Sequence, residues 1–376
     1  MAGEMVNSRF SAFSQVRFGW IEKCSENRHK PYARPLATTM KKIEITFIIF
    51  LCTFILSCNE KNKDKSVKEF SIFDKVENVP DSIKVDDIII YNLFKYQILA
   101  HQNNSFDSLM IINKVYNKQP KIWKELYGVL FDHEMFATEK GIVKWNHDIF
   151  INKKDSIESR VNTLLDCKFD SALQTSLSGI KRLTGRTPKN IRLSIILAPV
   201  EGIGFGGMEN DAFILDLLDN NFDVRNMVQE GIPHEFNHFI YEPTRENDPD
   251  KDTPLRLTID EGFACYYTYK YFDGKISKAQ AVEQMTENDW NWYLQHEKEI
   301  YNKCSSYFFY EGDDDPLRNL GSEMNAPKTL FYWLGFRIID FYVNEHGPDS
   351  WKDIYDLPVK EVLEKSGYIK YVNGLK

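Results

Sequence analysis

The chain is poor in cysteine. Six occur in 376 residues, and beyond Cys58 only Cys167, Cys265 and Cys304 remain. An odd trio excludes a scaffold of paired cysteines. No apolar run reaches the roughly 20 residues that cross a bilayer comfortably, and no internal repeat or low-complexity tract is visible. Positive charge is also short: 47 Lys and Arg against 55 Asp and Glu give a net charge of −8. Residues 1–57 hold eight of the basic and four of the acidic residues, so the chain beyond them stands at −12. Such an acidic body repels phosphates and excludes nucleic acid as the expected partner.

Nucleotide and calcium signatures are lacking too. Gly202, Gly204 and Gly207 match G-x-G-x-x-G, but a strand is predicted to follow where a dinucleotide site needs a helix. No P-loop lysine is present. Asp248, Asp250 and Asp252 alternate, and Glu311 precedes Asp313, Asp314 and Asp315. Neither group has the glycine and distal glutamate of a calcium loop, so both read as solvated turns.

What is present begins at the N-terminus. Met40-Lys41-Lys42, an apolar run over 43–57 and then Cys58 read as a secretion signal. The end Ile55-Leu56-Ser57-Cys58 resembles a bacterial lipobox. That resemblance implies lipid on Cys58 and a membrane-anchored protein of the bacterial cell envelope. Residues 1–39 lie upstream of the better start at Met40 and are expected to be an over-long, disordered beginning. Residues 59–70, rich in Lys and Asn, read as a flexible tether.

The most informative string is Pro233-His234-Glu235-Phe236-Asn237-His238, with Asp260-Glu261-Gly262 downstream. Residues four apart share a helix face, so His234 and His238 can address one metal ion. Two imidazoles and a carboxylate suit a catalytic zinc with a fourth position left for water. Glu235 stands where it can act as general base. Three prolines and a charge run make 242–254 a loop, after which Leu255, Leu257, Ile259, Phe263 and Ala264 predict a second helix. Glu261 on that helix is the expected third ligand, with Asp260 as the competing candidate. Gly262 and Ala264 are small enough for close packing against the first helix. Proline is tolerated in a helix's first turn, so Pro233 is expected to start the motif helix or to kink one begun near Asp223. Cys265 reads as a small buried hydrophobe. The chemistry these residues point to is hydrolysis, foremost of a peptide or protein substrate.

The pattern His234-Glu235-x-x-His238 with a glutamate opening a later helix resembles the gluzincin zinc peptidases. Over about 191–368 the chain is similar to a bacterial family of predicted zinc-dependent proteases of unassigned substrate. Tyr332-Trp333-Leu334-Gly335-Phe336-Arg337 and the stretch 357–363 belong to the likeness. In this group an aspartate often stands four residues after the ligand glutamate; here that position is Cys265. The resemblance implies a zincin-like fold and an oxyanion donor from a later helix, for which Tyr332 is the candidate and His296 and His346 the alternatives. Arg337 is the candidate anchor for a substrate carboxylate or carbonyl. The group also places an edge strand beside its cleft, so the glycine loop 202–211, with Gly206 and Gly207, is expected to meet substrate. A non-catalytic protein of this fold that binds a polypeptide or an envelope partner is the second reading.

The expected fold class is α+β, predominantly helical, with a small sheet from strands near 191–197 and 212–216. Helices are predicted at 91–102, 105–116, 120–130 and 156–183, one long or two shorter over 278–308, and another over 327–345. Two regions are expected, a helical one over 71–185 and a catalytic one over 186–376. His101, His133 and His147 fall in the first without a partner motif. Nothing in the sequence reads out an oligomeric state.

Overall fold

A computed structural model describes residues 16–17, 71–199, 204–208, 212–310, 312 and 316–376. The signal segment 40–58 with Cys58, the tether 59–70 and the acidic residues Glu311 and Asp313 to Asp315 lie outside the described residues, as does most of 1–39. Among the described residues no helix is long and apolar enough to cross a membrane.

The fold is α+β and mostly helical. Its mixed sheet runs in the order β1-β5-β6-β4-β3-β2. The strands are β1 (Val16–Arg17), β2 (Ser82–Val85), β3 (Ile88–Asn92), β4 (Ile191–Ile196), β5 (Phe205–Met208) and β6 (Ala212–Asp216). β3, β4 and β6 are parallel neighbours, and the remaining pairs are antiparallel. β3 departs from the helical expectation for that region. Its Ile88-Ile89-Ile90 run is β-branched, and stiff χ1 rotamers favour the pleat over the helix. The boundary expected at 185/186 falls between β3 and β4, which pair side by side.

Both faces of the sheet are covered. Along β6, Phe213 and Leu215 join the larger core with Leu193 and Ile195 of β4. Ala212 and Ile214 turn to a second core with Trp123, Tyr127 and Ile142. That is the near-continuous apolar run of a strand buried on both sides. The principal helices are α1 (Leu93–Leu99), α2 (Glu139–Asp166), α3 (Phe169–Thr184), α4 (Ile232–Tyr241), α5 (Pro254–Tyr271), α6 (Glu287–Gln295), α7 (Glu297–Ser305), α8 (Leu330–His346) and α9 (Val359–Lys365). The helix expected over 156–183 is split at Lys168, whose φ of 49° no helix interior accepts. The stretch 278–308 is likewise broken, at 282–286 and at His296.

α4 rests on the sheet through its apolar side, where Phe239 meets Phe213 edge to face at 4.7 Å. Burying an aromatic side chain of this size contributes about 1.5–3 kcal/mol. Tyr241 meets Phe263 in the same manner at 5.2 Å, joining α4 to α5. The small residue of α5 has a different partner from the one expected. A Cβ on Gly262 would lie 2.1 Å from the carbonyl carbon of Gly335, so Gly262 packs on α8, not on α4. Two glycines facing each other let these backbones nearly touch.

Candidate metal centre

α4 is entered through a π-type turn over Met227–Gly231, and Pro233 stands in its first turn. The proline's missing donor thus falls where the hydrogen-bond register is already changing. One turn apart, His234 and His238 point the same way, and both are buried. Their Nε2 atoms lie 3.1 Å apart. Glu261 of α5 brings Oε2 to 3.4 Å from His234 Nε2 and 3.3 Å from His238 Nε2.

Three buried atoms able to ligate a metal therefore face one another, and among the described residues Glu261 Oε2 meets no hydrogen-bond donor beyond the two imidazoles. A tetrahedral ion with bonds of about 2.0–2.1 Å separates its ligand atoms by roughly 3.3–3.4 Å. The three observed separations match those edges, so the residues fit a tetrahedral metal with two nitrogen donors and one oxygen.

Asp260 takes the other side of His238. Its Oδ1 is 2.8 Å from Nδ1, which makes Nδ1 a proton donor and turns Nε2 to the site, where a metal would take the place of an Nε2 proton. Asp260 is held in turn by Arg256 at 3.0 Å, and Arg256 also reaches Glu242 at 3.4 Å. Asp260 thus binds the face of His238 that points away from Glu261 and lies outside the triangle of the three atoms. A second grouping, His238 with Glu242 and Asp260, is bridged by this guanidinium. Arg256 escaped the sequence reading. Its spacing of four from Asp260 on one helix was the available signal.

The electrostatics favour a cation. Burial alone lowers the pKa of His238, but the Asp260 and Glu261 carboxylates outweigh it and raise that pKa well above the ordinary value. Burial lowers that of His234, which leaves its imidazole neutral and able to donate a lone pair. Burial opposes ionisation of Glu261 too, yet His238 and His234 hold its carboxyl below the usual range. The Cys265 thiol is pushed well above its ordinary pKa by burial, so it stays protonated. It lies 3.9 Å from His234 Nδ1, in the small buried role expected.

Glu235, which follows His234 on α4, is buried, about 1% exposed. The Tyr332 ring lies parallel to that of His234, at 7° with centroids 6.2 Å apart. Burial raises its pKa well above the ordinary value, so the hydroxyl remains a donor. Arg337, on the same helix, is not brought into this group. Its guanidinium pairs with Glu297 at 2.9 Å and approaches Asp340 at 3.8 Å. Gly206 and Gly207 lie in β5, a strand where a loop was expected. Gly207 has φ of 149°, and a Cβ there would lie 2.3 Å from the Ala212 carbonyl oxygen. Their glycine identity thus answers to the close pairing with β6. Asp248 is buried and not solvated. It binds Arg245 at 3.3 Å and accepts the Val359 amide at 3.0 Å, at the start of α9. His296 stacks on Trp292, and His346 contacts the Lys365 carbonyl.

Residues 195–364 match the model of the family described as Predicted Zn-dependent protease (DUF2268). Over that stretch the chain is similar to this family. The match spans α4, α5, α8 and most of α9, and so includes every residue of the metal triad. No curated protein and no solved structure matches the chain.

Proposed function

We propose that the protein is a zinc metallopeptidase, with His234, His238 and Glu261 holding the ion and Glu235 as general base. The observation that carries the reading is the 3.1–3.4 Å triangle of His234 Nε2, His238 Nε2 and Glu261 Oε2. Bound there, zinc would supply Lewis acidity and make a water more acidic. Glu235 takes the proton of the attacking water and passes it to the leaving amine. Its place one residue after His234 puts it on the same helix as two ligands. Tyr332 donates a hydrogen bond from its hydroxyl to the oxyanion that develops on the scissile carbonyl. Asp260 and Arg256 keep His238 in the tautomer that the site needs.

The envelope location belongs to the same proposal. Lipid on Cys58 would hold the domain at a membrane, with residues 59–70 as tether.

The test is Glu235→Gln, assayed for bound zinc and for cleavage of a broad peptide library. The variant is expected to keep one zinc and to lose most hydrolysis, because a base is removed and the ligands are not. Cleavage at the wild-type rate would remove Glu235 from the mechanism. A wild-type protein that holds zinc and cleaves nothing would favour the binding module instead.

A further inference from the structure

Between the short helix Lys278–Ala281 and α6 the chain makes a tight reversal. Glu283 and Gln284 both adopt the left-handed region, with φ of 48° and 53°. Consecutive non-glycine residues rarely do so, and they persist only where the surroundings over-determine them. Here the surroundings are the site's own helices. The Glu283 side chain is buried and accepts two hydrogen bonds from Thr329, from the backbone N–H to Oε2 at 2.8 Å and from Oγ1–H to Oε1 at 2.9 Å. Thr329 is the residue that opens α8, three positions before Tyr332. On the neighbouring helix α5, the Cys265 sulfur lies 3.9 Å from His234 Nδ1. Gln284 faces the opposite way. Its Oε1 accepts from Asn226 Nδ2 at 3.0 Å, and its Nε2 donates to Glu230 Oε2 at 3.3 Å. Asn226 and Glu230 flank or lie in the turn that leads into α4.

Two adjacent residues therefore tie together the entry to α4 and the start of α8. Those helices carry the histidines and Tyr332 respectively. We propose that Glu283 and Gln284 are positioning residues for the metal centre, a buckle that fixes Tyr332 over His234 and fixes the entry of the histidine helix. This rests on the metallopeptidase reading for its catalytic consequence, but not for its consequence on metal geometry.

The experiment compares Glu283→Ala, Glu283→Gln and Gln284→Ala with wild type in the full chain. Zinc affinity is read by chelator competition, site geometry by the visible spectrum of the Co(II)-loaded protein, and turnover by kcat and KM separately. Glu283→Ala is expected to weaken zinc about tenfold, in the range for lost outer partners of ligands, to alter the Co(II) spectrum, and to lower kcat with little change in KM. Glu283→Gln keeps an acceptor for the Thr329 amide, and its NH2 can donate to a rotated Thr329 hydroxyl. It is expected to restore affinity and spectrum to within about threefold of wild type. Gln284→Ala gives a second reading should Glu283→Ala fail to fold, with an altered Co(II) spectrum expected. Wild-type affinity and spectrum in the alanine variants would overturn the buckle, as would a glutamine variant no better than alanine. Because metal affinity and spectrum are read without substrate, a wild type that cleaves nothing would sink the peptidase reading and leave this one to be judged.

Discussion

Replacing Gly262 by alanine tests the link between helix packing and the metal. The new Cβ would lie 2.1 Å from the Gly335 carbonyl carbon, 2.3 Å from its Cα and 2.3 Å from the Phe336 nitrogen. Carbon atoms settle at about 3.5–4 Å, so the contact is short by roughly 1.4 Å or more. The obstacles are all backbone, and no side chain can swing aside. α5 and α8 must part, and overpacking of this kind costs about 1–3 kcal/mol. The upper end applies because neither helix can yield locally. Alanine recovers about 1 kcal/mol of helix propensity over glycine, which leaves a net loss of about 2 kcal/mol. Glu261 is the neighbouring residue, so movement of α5 carries Oε2 off the 3.3–3.4 Å contacts it makes with the histidines. Zinc affinity should fall at least about tenfold. Urea denaturation of the metal-free protein reads the first effect, and chelator competition the second. Gly321→Ala is the control, since among the described residues a Cβ there meets nothing closer than 4.0 Å. It should be neutral or mildly stabilising. If Gly262→Ala is as stable as wild type and binds zinc equally well, the close crossing does not set the ligand position.

Asp260→Asn should weaken zinc by about 10–100-fold while leaving all three ligands in place, because His238 loses the carboxylate that orients it; unchanged affinity in a chelator titration would count against that role. Glu283 gives a pH signature. Burial outweighs its two bonds from Thr329 and lifts its pKa to about 7, above the ordinary carboxyl value of about 4.5. Between those values the folded chain keeps a proton that the unfolded chain has released, so stability falls as pH rises from about 4.5 to 7 and levels above it. The loss is about 3 kcal/mol, and Glu283→Gln should abolish it. A difference between wild type and that variant that stays constant from pH 5 to pH 8, in urea denaturation of metal-free protein, would refute the assignment. Cys58→Ala should block lipidation and shift the protein to a soluble or unprocessed form; membrane retention at unchanged size would point to an uncleaved anchor.

Local pattern carried the fold class well. The alternating, β-branched stretch 191–196 and the apolar run in 212–216 read directly as strands, and both are present. The spacing of His234 and His238 and the apolar helix around Glu261 nominated the atoms that now face each other. Long-range choices were hidden. Gly262 reads as small, but nothing local says that its partner is Gly335 in a later helix. Asp260 and Glu261 are equivalent as carboxylates in a sequence. Only the azimuth of α5 sends one to Nδ1 and the other to Nε2 of the same ring. Ile88–Asn92 was absorbed into a helical stretch because its strand partner, β4, lies about a hundred residues further on. Arg337 and Asp248 were misplaced by the same limit, since their counter-charges and capped helix could not be seen from one segment.

The parallel pairing of β3 with β4 bears on how this chain reaches its native state. Everything from Leu93 to Asn190 lies between two strands that sit next to each other. Closing so long a crossover costs chain entropy before any ladder bond repays it, and such non-local pairings slow folding. Early collapse of the intervening helices would shorten that gap. The pieces that hold the histidines and Glu261 come later in the chain and dock on the face this closure creates. Ligand geometry would then be among the last properties acquired, and a chain with a weakened helical half would expose apolar β3 and β4 edges to other copies of itself.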